Sequence, residues 1–222
     1  MSGNIPIEII RVFVDENGKN GNPLGIIVDE GNKFKKDERQ TIATLSGFSE
    51  VVFINDVGKG NISIFNPQRE IPFAGYALVG VSWFIRHKLK TQLVSLKCLS
   101  NEIETWEEKG RTFIRGSVSV LPPWNLEHFK SVESIESVLV DKTRNKKHSL
   151  IWCFIDEQKG LIRARTFAPD WGIPEDEANG SGAMKLTFLL KKDLTIIHGV
   201  GSVIYTKYID GNNVSVGGEC VG

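Results

Sequence analysis

Short runs rich in β-branched and aromatic residues set the rhythm of this chain. They predict strands over 8–14, 25–28, 51–55, 62–65, 93–99, 103–107, 112–120, 149–155, 161–167, 203–209 and 214–216. Glycine-bearing links, Glu108-Lys109-Gly110, Glu157-Gln158-Lys159-Gly160 and Asp210-Gly211-Asn212, read as hairpin turns, so antiparallel pairing is expected. Four segments break this rhythm with helical spacing. Residues 36–46 put Ile42, Ala43 and Leu45 on one side and Gly47 where a C-terminal cap belongs. Residues 77–88 and 182–192 are apolar nearly all round, the mark of helices buried inside a domain, while 132–140 reads as an amphipathic surface helix.

An internal repeat organises these elements. Phe65-Asn66-Pro67-Gln68-Arg69-Glu70-Ile71-Pro72 and Phe167-Ala168-Pro169-Asp170-Trp171-Gly172-Ile173-Pro174 share the pattern F-x-P-x-x-x-I-P. Each copy leads into a small-residue turn, Ala74-Gly75-Tyr76 or Asn179-Gly180-Ser181, and each turn opens one of the two apolar helices. The expected class is therefore α+β, with two similar halves of strands, turn and central helix.

Composition narrows the partners. Lys plus Arg and Asp plus Glu both number 27, so the formal net charge is zero and no global field gathers nucleic acid or an anionic membrane. The apolar stretch from Ala77 to Ile85 is far shorter than the roughly 20 residues of a bilayer span, and no basic-then-apolar leader opens the chain; a cytoplasmic protein is expected. Cys98, Cys153 and Cys220 stand far apart without a CxxC, and His87, His128, His148 and His198 have no ligand spacing, so neither a disulfide framework nor a metal site is signalled. No phosphate loop, nucleophile elbow or dinucleotide fingerprint appears, and Gly199-Val200-Gly201 alone is a weak signal.

The repeated turns carry the candidate chemistry. A helix N-terminus leaves N–H groups unpaired and carries about half a positive charge, and a glycine before it lets a ligand approach the backbone. Related by a pseudo-twofold axis, Gly75-Tyr76 and Gly180-Ser181 would face each other and hold a small carboxylate; the plainer reading is that each glycine merely starts a helix. Glu50 follows Gly47-Phe48-Ser49 and precedes the apolar Val51-Val52-Phe53-Ile54, where partial desolvation would suit it to general acid or base work; an ordinary solvated glutamate is the alternative. Within Glu175-Asp176-Glu177, Asp176 either turns inward as an acceptor for a substrate hydroxyl or amine or belongs to a solvated loop. Ser181 either offers its hydroxyl to the cleft or serves as a plain N-cap.

Taken together, Gly21-Asn22-Pro23-Leu24, Ser49-Glu50-Val51-Val52-Phe53, FNPQREIPFAG over 65–75 and FAPDWGIPEDEANGS over 167–181 resemble the phenazine-biosynthesis PhzF-like family. The resemblance implies a diaminopimelate-epimerase-like fold: two halves, each a curved, mostly antiparallel sheet, an open barrel around a central helix, with the active site between them. The halves expected are 1–103 and 104–212, with the last strand, 213–222, open to joining the first. It further implies a cofactor-independent isomerase and a homodimer. Glu50 would shuttle a proton between substrate carbons, Asp176 and Ser181 would bind and orient the substrate beside Asn22, and the turns at Gly75, Tyr76, Gly180 and Ser181 would hold its carboxylate. The related racemases carry a cysteine at each turn; Tyr76 and Ser181 stand there, which argues against a two-thiol racemase. The family usually has histidine where this chain has Tyr76, and a phenol does not readily carry a proton at neutral pH. A binding protein without catalysis is the rival reading.

Overall fold

The computed structural model describes residues 6–99 and 101–222. Strand β1 (Glu8–Val14) and β2 (Asn20–Val28) form a hairpin, and helix α1 (Lys36–Leu45) crosses over to β3 (Val51–Asp56), which lies parallel to β2. A second hairpin follows, β3 with β4 (Asn61–Phe65), then the two-residue β5 (Glu70–Ile71) and helix α2 (Gly75–His87). The chain returns as β6 (Ser95–Cys98), parallel to β4, and continues into β7 (Asn101–Glu108) and β8 (Arg111–Ser117).

The second half repeats this order. Strand β9 (Asn125–His128) crosses over through the short helix α3 (Val132–Glu136) to the parallel β10 (Ser149–Asp156), which pairs as a hairpin with β11 (Leu161–Ala168). The short β12 (Ile173–Asp176) pairs with β11, helix α4 (Gly180–Leu190) follows, and β13 (Leu194–His198) returns parallel to β11. Strands β14 (Ser202–Asp210) and β15 (Asn213–Val221) close the chain as an antiparallel hairpin. Parallel crossover, hairpin, short strand, glycine turn, buried helix and parallel return thus occur twice, as the repeat predicts.

Strand β15 is shared. Asn213 to Gly218 pairs with β8, while Glu219, Cys220 and Val221 pair with β1, so the first sheet closes into a ring of pairings around α2. The second sheet runs β8-β15-β14-β13-β11-β10-β9 and packs on α4. Burial explains the apolar character of α2 and of one face of α4, where Ala183, Met184 and Leu186 are buried but Leu189 is exposed. Every residue of α2 from Gly75 to Ile85 except Trp83 is buried, and Gly80 lets the helix press on the first sheet, since a Cβ there would meet Val12 Cγ2 at 2.6 Å. One contiguous core, from Ile10 and Leu24 through Leu78 and Met184 to Val216, spans both halves.

The periodicity misjudged several pieces. The surface helix expected over 132–140 ends at Glu136, and the strand expected to 120 stops at Ser117 and tightens into a 3-10 turn over Val118–Val120. Strands β5, β9, β12 and β13 have no equivalent among the predicted runs; the first three are too short to show a period, and their partners make them strands. No helix among the described residues is long and apolar enough to cross a membrane.

Candidate active site

The glycine turns meet at the junction of the halves. A Cβ built on Gly180 would lie 3.2 Å from Tyr76 N and 3.4 Å from Gly75 Cα, and one on Gly75 would lie 3.4 Å from Gly180 Cα. The two helix N-termini therefore touch backbone to backbone, and their unpaired N–H groups and positive dipole ends converge on one spot. A side chain at Gly180 would press on the Tyr76 backbone, which would have to give by a few tenths of an ångström.

Asn179, rather than Ser181, is the N-cap of α4: its Oδ1 accepts from Gly182 N at 2.5 Å. Asparagine before the glycine is a capping signal that could have been read from the sequence. Ala74, the N-cap of α2, has no side-chain acceptor to offer.

Glu50 sits directly before β3, at the end of the crossover from α1, and reaches the same junction. The residue keeps some accessible surface, but its Oε2 is sealed from solvent and has no hydrogen-bond partner. Burial pushes its carboxyl up to about 7, assisted by the charge of Asp176 and partly offset by the nearby phenol of Tyr76. Tyr76 is equally unusual. It is 6% exposed, and its Oη lies against the Glu50 side chain and peptide group without a hydrogen bond of ordinary geometry. Burial and the two neighbouring carboxyls hold the phenol well above its ordinary value, so it stays protonated.

Asp176 closes the group from the second half. Asn22 Nδ2, on β2, donates to its Oδ1 at 2.8 Å and to Ala178 O at 3.2 Å, joining the halves across the cleft. Asn179 Nδ2 donates to Oδ2 at 2.9 Å, and Ala178 N to Oδ1 at 3.3 Å. These donors favour the ionised form, yet burial outweighs them and pushes Asp176 up to about 6. Glu50, Tyr76, Asp176, Asn22, Gly75, Gly180 and Ser181, scattered over the sequence, thus meet at the junction of the halves, the candidate cleft.

Further ties hold it together, through residues such as Ser202 that carry no sequence signal. Gly21 N donates to Ser202 Oγ at 2.9 Å, and Ser202 Oγ donates to Glu177 Oε1 at 2.6 Å, a second tie between the halves. The other oxygen of Glu177 accepts from Val200 N at 2.9 Å, within the Gly199-Val200-Gly201 turn. His198 is buried behind this turn; its Nδ1 lies 2.8 Å from Glu177 O and its Nε2 2.9 Å from the Thr166 hydroxyl, and burial pushes it down to about 4. It is a neutral brace. A separate groove, about 480 Å³, is lined by Glu136, Arg163, Arg165 and Glu175 and includes none of the cleft residues. Its guanidiniums are occupied by Glu136, Glu175 and backbone carbonyls, so it braces the second sheet. The three cysteines are free and buried, and no cluster of metal-ligating side chains occurs among the described residues.

The chain is similar to known proteins in sequence and in fold. The profile of the phenazine biosynthesis-like protein family matches residues 10–152. A trans-2,3-dihydro-3-hydroxyanthranilate isomerase of Pseudomonas aeruginosa is 24% identical over 86% of this chain and 81% of its own length. Among solved structures, a phenazine biosynthesis PhzF family protein of Enterococcus faecalis superposes with a TM-score of 0.78 at 17% identity, covering 97% of this chain and 95% of that one. A probable proline racemase of Agrobacterium radiobacter, with bound carbonate, has the same fold at a TM-score of 0.61 and 8% identity, covering 97% and 90%. A family profile that spans well over half of the chain, on a fold shared with these isomerases and racemases, makes this protein a member of the phenazine biosynthesis-like protein family and an enzyme of the isomerase class.

Proposed function

We propose that this protein isomerises a small carboxylate by moving a proton between carbons, with Glu50 as the carrier and no cofactor. One observation carries the reading: a buried carboxyl pushed up to about 7 stands beside two touching helix N-termini. A base titrating near neutrality is ionised often enough to accept a proton and acidic enough to return it.

In this mechanism the backbone N–H groups of Tyr76 and Ser181, at the starts of α2 and α4, hold the substrate carboxylate. The Glu50 carboxylate takes a proton from carbon; the electron pair released delocalises into the adjoining unsaturation, and the helix termini offset the developing charge. The same carboxyl then returns the proton to a different carbon. Atoms and electrons balance without redox chemistry. Tyr76, protonated, donates to the substrate or to Glu50 and keeps the carboxyl from rising further. Asp176, oriented by Asn22 and Asn179, accepts from a substrate hydroxyl or amine. The Pseudomonas relative is named for a carboxylate bearing both such groups, which supports this substrate class.

The same reading has the enzyme acting in the cytoplasm as a homodimer, built of a first half over 1–103 with strand 213–222 and a second over 104–212; the pairing of β15 with β1 supports placing the last strand with the first half, while β7 crosses the boundary between the halves. Incubation with trans-2,3-dihydro-3-hydroxyanthranilate and related unsaturated carboxylates in heavy water tests it. Deuterium should enter carbon with the wild type and not with Glu50→Gln. Equal incorporation by both would remove Glu50 from the mechanism.

A further inference from the structure

Beside Ser181 the second half carries an aromatic cluster that the first half lacks. Trp124, just before β9, meets Trp171 at 5.1 Å and His148 at 5.3 Å between ring centres, and His148 stacks on Trp171 at 4.0 Å. His148 also bridges Asp170 Oδ2 at 2.8 Å and Pro123 O at 2.5 Å, which fixes the backbone next to Trp124. Asp170 and Trp171 occupy variable positions of the F-x-P-x-x-x-I-P repeat, where the first copy has Gln68 and Arg69. The duplicated scaffold did not require the cluster.

What it does is visible at Ser181. The Trp124 indole Nε1–H donates to Ser181 Oγ at 2.9 Å, and Ser181 Oγ–H points to Asn179 Oδ1 at 3.3 Å. A hydroxyl has one hydrogen and two lone pairs, and an indole N–H can only donate. With its hydrogen directed to Asn179 and one lone pair taken by Trp124, Ser181 has only a lone pair left for a ligand.

We propose that Trp124 is a positioning residue that makes the Ser181 hydroxyl a hydrogen-bond acceptor, so that the cleft selects carboxylates carrying an amino or hydroxyl donor over those carrying a second carboxylate. This rests on the small-carboxylate reading of the cleft. Two measurements on the full chain test it separately. In the indole region of a ¹H–¹⁵N spectrum, Trp124→Phe removes one of the five tryptophan signals, and Ser181→Ala should shift that same signal. An unmoved signal overturns the proposal.

In calorimetric titration of the wild type, anthranilate should bind about fivefold or more tightly than benzoate, as one hydrogen bond allows, and phthalate more weakly than either. Trp124→Phe keeps the ring and loses the donor, and should reduce the anthranilate-to-phthalate ratio at least about fivefold. Ser181→Ala, which needs no change in the cluster, should do the same. An unchanged ratio in both variants overturns the proposal. Failure of all three compounds to bind the wild type, with the indole shift present, overturns the small-carboxylate reading and the selectivity built on it.

Discussion

Glu50 Oε2 and Tyr76 Oη are buried neighbours at the junction of the halves, and neither makes a hydrogen bond of ordinary geometry. Protein interiors seldom leave such atoms unpaired, because each costs roughly 1–3 kcal/mol. Two adjacent orphans at the mouth of paired helix termini mark a site arranged for a ligand at the expense of stability.

Replacing Glu50 by Gln should lower turnover by about 10²–10⁴ while leaving carboxylate binding intact, the loss typical of a general acid-base group. It should also change stability with a defined sign. The Glu50 carboxyl is raised from its ordinary 4.5 to about 7, so its favourable contribution is complete below 4.5 and is lost as pH rises through 7. The variant does not titrate there, and above pH 7 it should exceed the wild type by an amount on the order of 1–3 kcal/mol, measured by denaturant unfolding at pH 4 and pH 8.

Tyr76→Phe should separate activity from stability. The phenol's proximity lowers Glu50, so its removal should move the acid limb of kcat/KM to higher pH than the wild-type midpoint near 7. Below pH 5, where Glu50 is protonated, the melting temperature should stay level or rise, because the buried hydroxyl makes no hydrogen bond of ordinary geometry. An unshifted pH profile would disconnect the phenol from the base.

Gly180→Ala places a methyl group 3.2 Å from Tyr76 N, where only backbone could give way. Carboxylate affinity should fall at least about tenfold, as the termini separate, with a stability cost of roughly 1–3 kcal/mol for the overpacking. Calorimetric titration and thermal melting read the two effects; affinity retained in a folded variant would place the carboxylate elsewhere.

Asn22→Ala removes the 2.8 Å donor to Asp176 and the 3.2 Å tie to Ala178 O. Because Asn22 lowers Asp176, the aspartate should rise above its present value of about 6. Protonation relieves the loss, so the destabilisation should be larger at pH 8 than at pH 5, with about 1–3 kcal/mol at the upper end. A cost independent of pH would mean that Asn22 acts on the backbone alone.

Much of this architecture was legible in the sequence because burial of the two central helices forces a composition that cannot be mistaken. Leu78, Val79, Val81 and Ile85 are apolar on all sides of α2 since sheet surrounds it, and Met184 and Leu186 are apolar where α4 packs on the second sheet. The F-x-P-x-x-x-I-P repeat exposed the duplication because each copy must make the same turn into the same kind of helix. Strands β5, β9 and β12 escaped notice because two to four residues carry no period, and a partner strand is what defines them. Trp124 escaped for a related reason: 57 positions separate it from Ser181, and no local pattern announces a hydrogen bond across that distance.

By itself, the sequence determined the elements, their repetition and the residue types that meet at the glycine turns, since hydrophobic period, turn chemistry and capping act over a few neighbouring positions. Tertiary structure alone decided what those residues become. It brought Gly75 against Gly180, sealed Glu50 beside Tyr76, tied Asp176 to Asn22 and turned the Ser181 hydroxyl toward Asn179 under Trp124. Desolvation and hydrogen-bond direction depend on what lies across space, so the acidity of Glu50 and the polarity of Ser181 exist only in the folded chain.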